Sequence, residues 1–124
     1  MVALYFEDDA RGTWFSMVED GNGDGVRSSD IAQQIDRVIE GRILLSDLFS
    51  GAAIGLAAGT PATSALALGG TRILSFSPDG TATSGTVYVV GRDGTQWGVR
   101  VLGVTARARV LRFDSATNAW AAAD

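Results

Sequence analysis

Sixteen glycines against two prolines punctuate this chain, and between them the residues fall into short bursts rich in aromatic and β-branched side chains. Glycine spacing of this kind interrupts a helix, while the bursts suit a pleated, half-buried surface. The pattern therefore predicts a mainly β fold with antiparallel pairing. A length of 124 residues fits one domain, residues 1–124, with a hydrophobic core of its own. Apolar residues at 46% against charged residues at 19% place it among globular chains rather than disordered ones.

The bursts give the elements. Val2 to Glu7 and Thr13 to Glu19 read as a hairpin around Asp8-Asp9-Ala10-Arg11-Gly12. In the second strand Trp14, Ser16 and Val18 share one face, and Phe15 and Met17 share the other. Both faces are apolar enough to predict a central strand with one side awaiting cover. After the turn-rich Asp20 to Gly25, Ser28 or Ser29 can cap a helix whose apolar positions are Ile31, Ile35 and Val38. That spacing predicts helix up to about Glu40, although Val38-Ile39 suits a strand as well. Ser46 is placed to cap a single turn, Asp47-Leu48-Phe49, before a strand within Ala52 to Leu56. Ala57 to Gly70 reads as a long surface excursion of Ala, Gly, Thr and Ser. Strands over Arg72 to Ser77, Gly85 to Val90, Gln96 to Leu102 and Thr105 to Phe113, separated by short turns, predict a four-stranded meander.

Three absences remove whole classes of chemistry. The sequence holds no Cys and no His, and its ten positive charges are all Arg. Thiolate nucleophiles, disulfides, histidine-based triads, His-metal sites and Schiff-base lysines are excluded together. The net charge of −4 argues against a nucleic-acid partner. Arg107, Arg109 and Arg112, with Arg100 upstream, form the basic cluster, which reads first as a solvated strand face. The chain is expected not to be an enzyme.

The most specific short motif is Asp20-x-Asn22-x-Asp24-Gly25-Val26-x-Ser28-x-Asp30. Alternating oxygens with a glycine at the sixth position form the geometry in which a loop surrounds Ca²⁺. Asp20, Asn22, Asp24, the Val26 carbonyl, Ser28 and Asp30 are the candidate ligands. The closing acid comes one position early and is Asp rather than Glu, so a glycine-rich connection stabilised by Asx turns competes with it. Glu7, Asp8, Asp9, Glu19 and Asp20 are candidate acid/base carboxylates, with solvated loop positions as the competing reading. Trp14, Trp97 and Trp120 are candidates for a sugar-stacking platform, or simply core and rim residues.

Phe76-Ser77-Pro78-Asp79-Gly80, then Gly85-Thr86-Val87-Tyr88-Val89, Val99-Arg100-Val101 and Thr105-Ala106-Arg107-Ala108-Arg109, resemble the GspH/FimT family of minor pseudopilins and type IV pilin-like proteins. The opening Val2-Ala3-Leu4-Tyr5-Phe6 and the Asp-Gly-Asn-Gly loop are similar to the part following that family's long N-terminal helix. Ala106 stands where the family usually has Gly. The resemblance implies a β-sandwich-like domain of two antiparallel sheets with at most one or two short helices. It also implies a non-enzymatic assembly subunit of a type II secretion or type IV pilus system, on the periplasmic side of the inner membrane. Its partners would be other pilin-like subunits, and its membrane contact would run only through an N-terminal helix. On this reading Met1 opens a shortened form, the helix covers the apolar sheet face, and the bare domain self-associates. Phe15, Met17, Phe76 and Tyr88 are then the residues expected near the packing surface. The alternative is a secreted β-sandwich binding module for carbohydrate or a protein ligand, stabilised by Ca²⁺.

Overall fold

The computed structural model describes residues 1–23, 25–57, 59–62 and 64–123. It is mainly β, with two antiparallel sheets and two short helices, in a sandwich-like arrangement. In the first sheet β3 (Arg37–Leu44), β2 (Gly12–Glu19), β1 (Val2–Asp9) and β6 (Ile73–Phe76) lie in that order. The second sheet runs β10 (Ala119–Ala122), β9 (Arg107–Asp114), β8 (Gln96–Leu102), β7 (Gly85–Val90) and β4 (Ala53–Ile54). There β5 (Leu66–Ala67) also pairs with β7.

Alternation along β1 and β2 sorts the first sheet's two faces. Phe6 pairs with Phe15 and Leu4 with Met17, so these four share a face. That face meets the second sheet, where Phe6, Leu68, Leu74, Val87 and Val101 form the main core. The opposite face carries Ala3, Val18 and Ile73 and is covered by Val26 and by Ile31 of α1 (Ser28–Ala32). β2 is central, as its sequence predicts.

Asp36 holds that cover down. Its carboxylate is 1% exposed and accepts the Gly21 N–H at 3.0 Å and the Arg27 N–H at 2.9 Å. The chain passes so close to itself here that a Cβ on Gly21 would run into the Ile35 carbonyl oxygen. A buried acceptor and a glycine together close the neck of the acidic loop.

Four expectations are corrected. The helix stops at Ala32 rather than Glu40, because Gln34 takes a left-handed conformation (φ 63°). The Ile35 N–H then bonds the Asp30 carbonyl and the Gln34 N–H bonds that of Ile31, a Schellman closure built without glycine. Residues from Arg37 onward, β-branched Val38-Ile39 among them, pair with β2 instead. Neither helix has its predicted serine cap. Arg27 precedes α1, Leu44 precedes α2 (Leu45–Leu48), and neither makes a capping side-chain bond.

The excursion from Ala57 to Gly70 is not all surface. It contains β5, and Leu68 is 1% exposed within the main core. The meander also starts one strand later than predicted, running β7 to β10. β6 pairs with β1 in the first sheet, and the Phe76–Ala82 bridge passes the chain toward the second.

Ala106 just before β9 has φ 55°, a region that strains any side chain bearing a Cβ. Ala106→Gly should therefore raise the unfolding free energy by about 0.5–1 kcal/mol, after the larger entropy of the unfolded glycine is counted. Urea unfolding at constant m-value checks this.

Candidate functional site

The first sheet's inner face extends beyond the second sheet's cover. On that face the cross-strand neighbours Phe76 and Val2 are 36% and 37% exposed. Beside them Leu4 pairs with Met17, and Met17 with Glu40 of β3. Register shifts in β3 bring both Glu40 and Ile43 onto this side, and α2 then lays Leu48 along it. The result is a groove of about 300 Å³ lined by Leu4, Phe15, Met17, Glu40, Ile43 and Leu48. Leu48 and the adjacent Phe49 are 54% and 62% exposed. The lining is apolar apart from Glu40 at its edge.

Phe15 and Met17, expected near a packing surface, line this groove, and Phe76 shares its face. Tyr88 lies elsewhere, on the second sheet's outer face, with ring centroids 5.8 Å from Trp120. Its alternation in β7 sets it opposite the core residue Val87, which is why it cannot join the others. Ile43 and Leu48 escape sequence reading because one follows a segment predicted helical and the other sits in a predicted isolated turn.

The remaining candidates are dispersed. Trp14 is on the first sheet, with the guanidinium carbons of Arg42 and Arg11 at 4.5 and 5.3 Å from its ring centroid. Trp97 and Trp120 point to opposite faces of the second sheet, so the three tryptophans build no common platform. Trp120 instead packs tilted against Phe113, centroids 5.1 Å apart at 54°, without a flat stacking surface.

The hairpin carboxylates are each engaged. Asp8 meets Arg72 at 2.6 Å, Glu7 meets Arg42 at 3.6 Å, and Glu19 pairs with Arg37. The Trp14 indole N–H and the Arg11 backbone N–H, aided by Arg42, hold the Asp9 carboxyl below its ordinary 3.8. A general acid would need the opposite direction.

In the acidic loop, Asp20 accepts N–H bonds from Gly25 at 2.8 Å, Gly23 at 3.0 Å and Asn22 at 3.2 Å, which lower its pKa. The Asn22 amide reaches Asp30 at 3.5 Å, Val26 is buried in the outer core, and Ser28 opens α1. Asp24 lies outside the described residues. Among the described residues no three acidic groups converge to hold a metal. The Asp20 oxygens that accept the loop's own N–H groups keep further lone pairs, so melting in millimolar Ca²⁺ tests the loop: a rise of several degrees means that it takes the ion, and no change means a glycine-rich connection. A calorimetric scan with and without EDTA checks it.

Asp9, Asp20, Asp79 and Asp93 all have pKa values lowered by hydrogen bonds within their turns. Folded-state values below 3.8 mean that their contribution is complete above that pH and is lost as pH falls through the lowered values. With no histidine in the chain, the melting temperature should be level from about pH 5 to 7 and fall below about pH 4. Melting curves across that range read it directly.

Comparison with models of protein families, with curated proteins and with solved structures finds no match to this chain.

Proposed function

We propose that this chain is a non-enzymatic assembly subunit of the pilin-like kind, and that the groove of the first sheet receives an apolar segment of the assembly. The observation that carries this reading is the groove itself: Leu4, Phe15, Met17, Ile43 and Leu48 on one face, only partly covered by the second sheet. Fully covering an exposed large aliphatic or aromatic side chain contributes roughly 1.5–3 kcal/mol; Leu48 and Phe49 offer about half of that each, and the partly buried Leu4, Phe15, Met17 and Ile43 add less. The resemblance of Phe76 to Gly80 and Thr105 to Arg109 to pseudopilin segments supports the same class of function.

Deleting the gene in its host should abolish a surface filament or the export of secreted proteins. Restoring the wild-type chain should recover the phenotype, whereas the exposed-site variant Leu48→Glu should not, with a melting curve to show that it folds. A deletion strain with intact filaments and export would overturn the reading.

A further inference from the structure

The β8–β9 hairpin presents a second surface, on the far side of the molecule's core contacts. Leu102 pairs with Arg107 and Arg100 with Arg109, which puts these four side chains on the second sheet's outer face, opposite buried Val101. Arg100, Arg107 and Arg109 are exposed, and none meets a carboxylate among the described residues. Arg37, Arg42 and Arg72 are all paired, so the three form a local positive field on a chain of net charge −4. Two guanidinium groups directly opposite each other on neighbouring strands repel, and no acid among the described residues offsets that cost.

The hairpin's end is aliphatic. Leu102 is 55% exposed and Val104 is 79% exposed. Val104 is held outward by the residue before it. The Gly103 N–H donates to Ser84 Oγ at 2.9 Å, and its carbonyl accepts the Ala82 N–H at 2.8 Å. The fit is so close that a Cβ at Gly103 would meet Ser84 and the Ala82 carbonyl. A braced, bare apolar tip beside three exposed arginines has two chemical requirements: an apolar medium for the tip and fixed anions around it. An anionic lipid bilayer supplies both, the tip entering the acyl boundary while the guanidiniums bind headgroup phosphates. Nucleic acid would satisfy the arginines but has no use for an aliphatic tip.

We infer that the β8–β9 hairpin docks this domain on anionic membrane surfaces through Leu102, Val104, Arg100, Arg107 and Arg109. The inference is independent of the assembly reading. The whole chain should float with vesicles containing phosphatidylglycerol at least about tenfold better than with phosphatidylcholine alone, and high salt should remove the difference. Arg100→Ser with Arg107→Ser and Arg109→Ser should reduce flotation to the phosphatidylcholine level. Leu102→Ser with Val104→Ser leaves the charge unchanged and should still cost about fivefold or more. Melting curves confirm that the variants fold, which these exposed sites permit. Equal flotation with both vesicles overturns the inference, as does a tip variant that floats like the wild type. Binding of a single-stranded oligonucleotide that needs the arginines but not the tip, without flotation, would reassign the face to nucleic acid.

Discussion

Replacing Asp36 by alanine should lower the unfolding free energy by about 3–5 kcal/mol. The carboxylate is 1% exposed and is the acceptor for two backbone N–H groups, Gly21 and Arg27. Hydrogen bonds to a charged group contribute roughly 1.5–3 kcal/mol each, and alanine would leave both donors unpaired. The consequence extends past the loop, because the same closure keeps Val26 over Ala3, Val18 and Ile73. For a chain of this size the melting temperature should drop by about 10–20 °C. Asp36→Asn keeps an acceptor for one of the two N–H groups but sets its own NH₂ against the other, and should cost nearly as much. A loss below about 1 kcal/mol for alanine would show that the loop holds its place without Asp36.

Leu68→Ala should cost about 3–5 kcal/mol, the range for a fully buried leucine whose cavity the surroundings cannot close. Leu68 is 1% exposed and sits between Phe6 and Leu74 of one sheet and Val87 and Val101 of the other. Leu48→Ala is the informative contrast. At 54% exposure it should change stability by no more than about 0.5 kcal/mol while removing part of the groove. Guanidinium unfolding of both variants separates a side chain that holds the sheets together from one available to a partner.

Leu68 also shows where sequence reading ran out. It lies in a stretch of Ala, Gly, Thr and Ser with little periodicity, and the two-residue pairing of β5 with β7 that carries it inward leaves no pattern there to read. The hairpins were legible because alternation and turn residues agreed locally, as in β1–β2 and in β7 to β9. β3 was lost because Ile31, Ile35 and Val38 imitate a helical stripe. What decides against the helix is the left-handed turn at Gln34 and the pairing offered by β2, neither visible in spacing. The same division holds for the groove. Phe15 and Met17 follow from strand alternation, whereas Ile43 and Leu48 depend on bulges in β3 and on where α2 falls. Tyr88 alternates as faithfully as they do, but in the other sheet. Alternation identifies which residues share a face without saying which faces meet.

The closure at Asp36 makes the acidic loop a module. Gly21 and Arg27 both end on one carboxylate, so the chain leaves and re-enters the domain at almost the same place. Added length between such fixed ends costs little, only about 0.6 kcal/mol for each doubling of a flexible loop. A reporter or epitope spliced between Asn22 and Gly23 would sit outside that gate, at the further cost of the Gly23 and Gly25 N–H bonds to Asp20. The molecule thus contains a socket for cargo that leaves both sheets, the groove and the basic hairpin untouched.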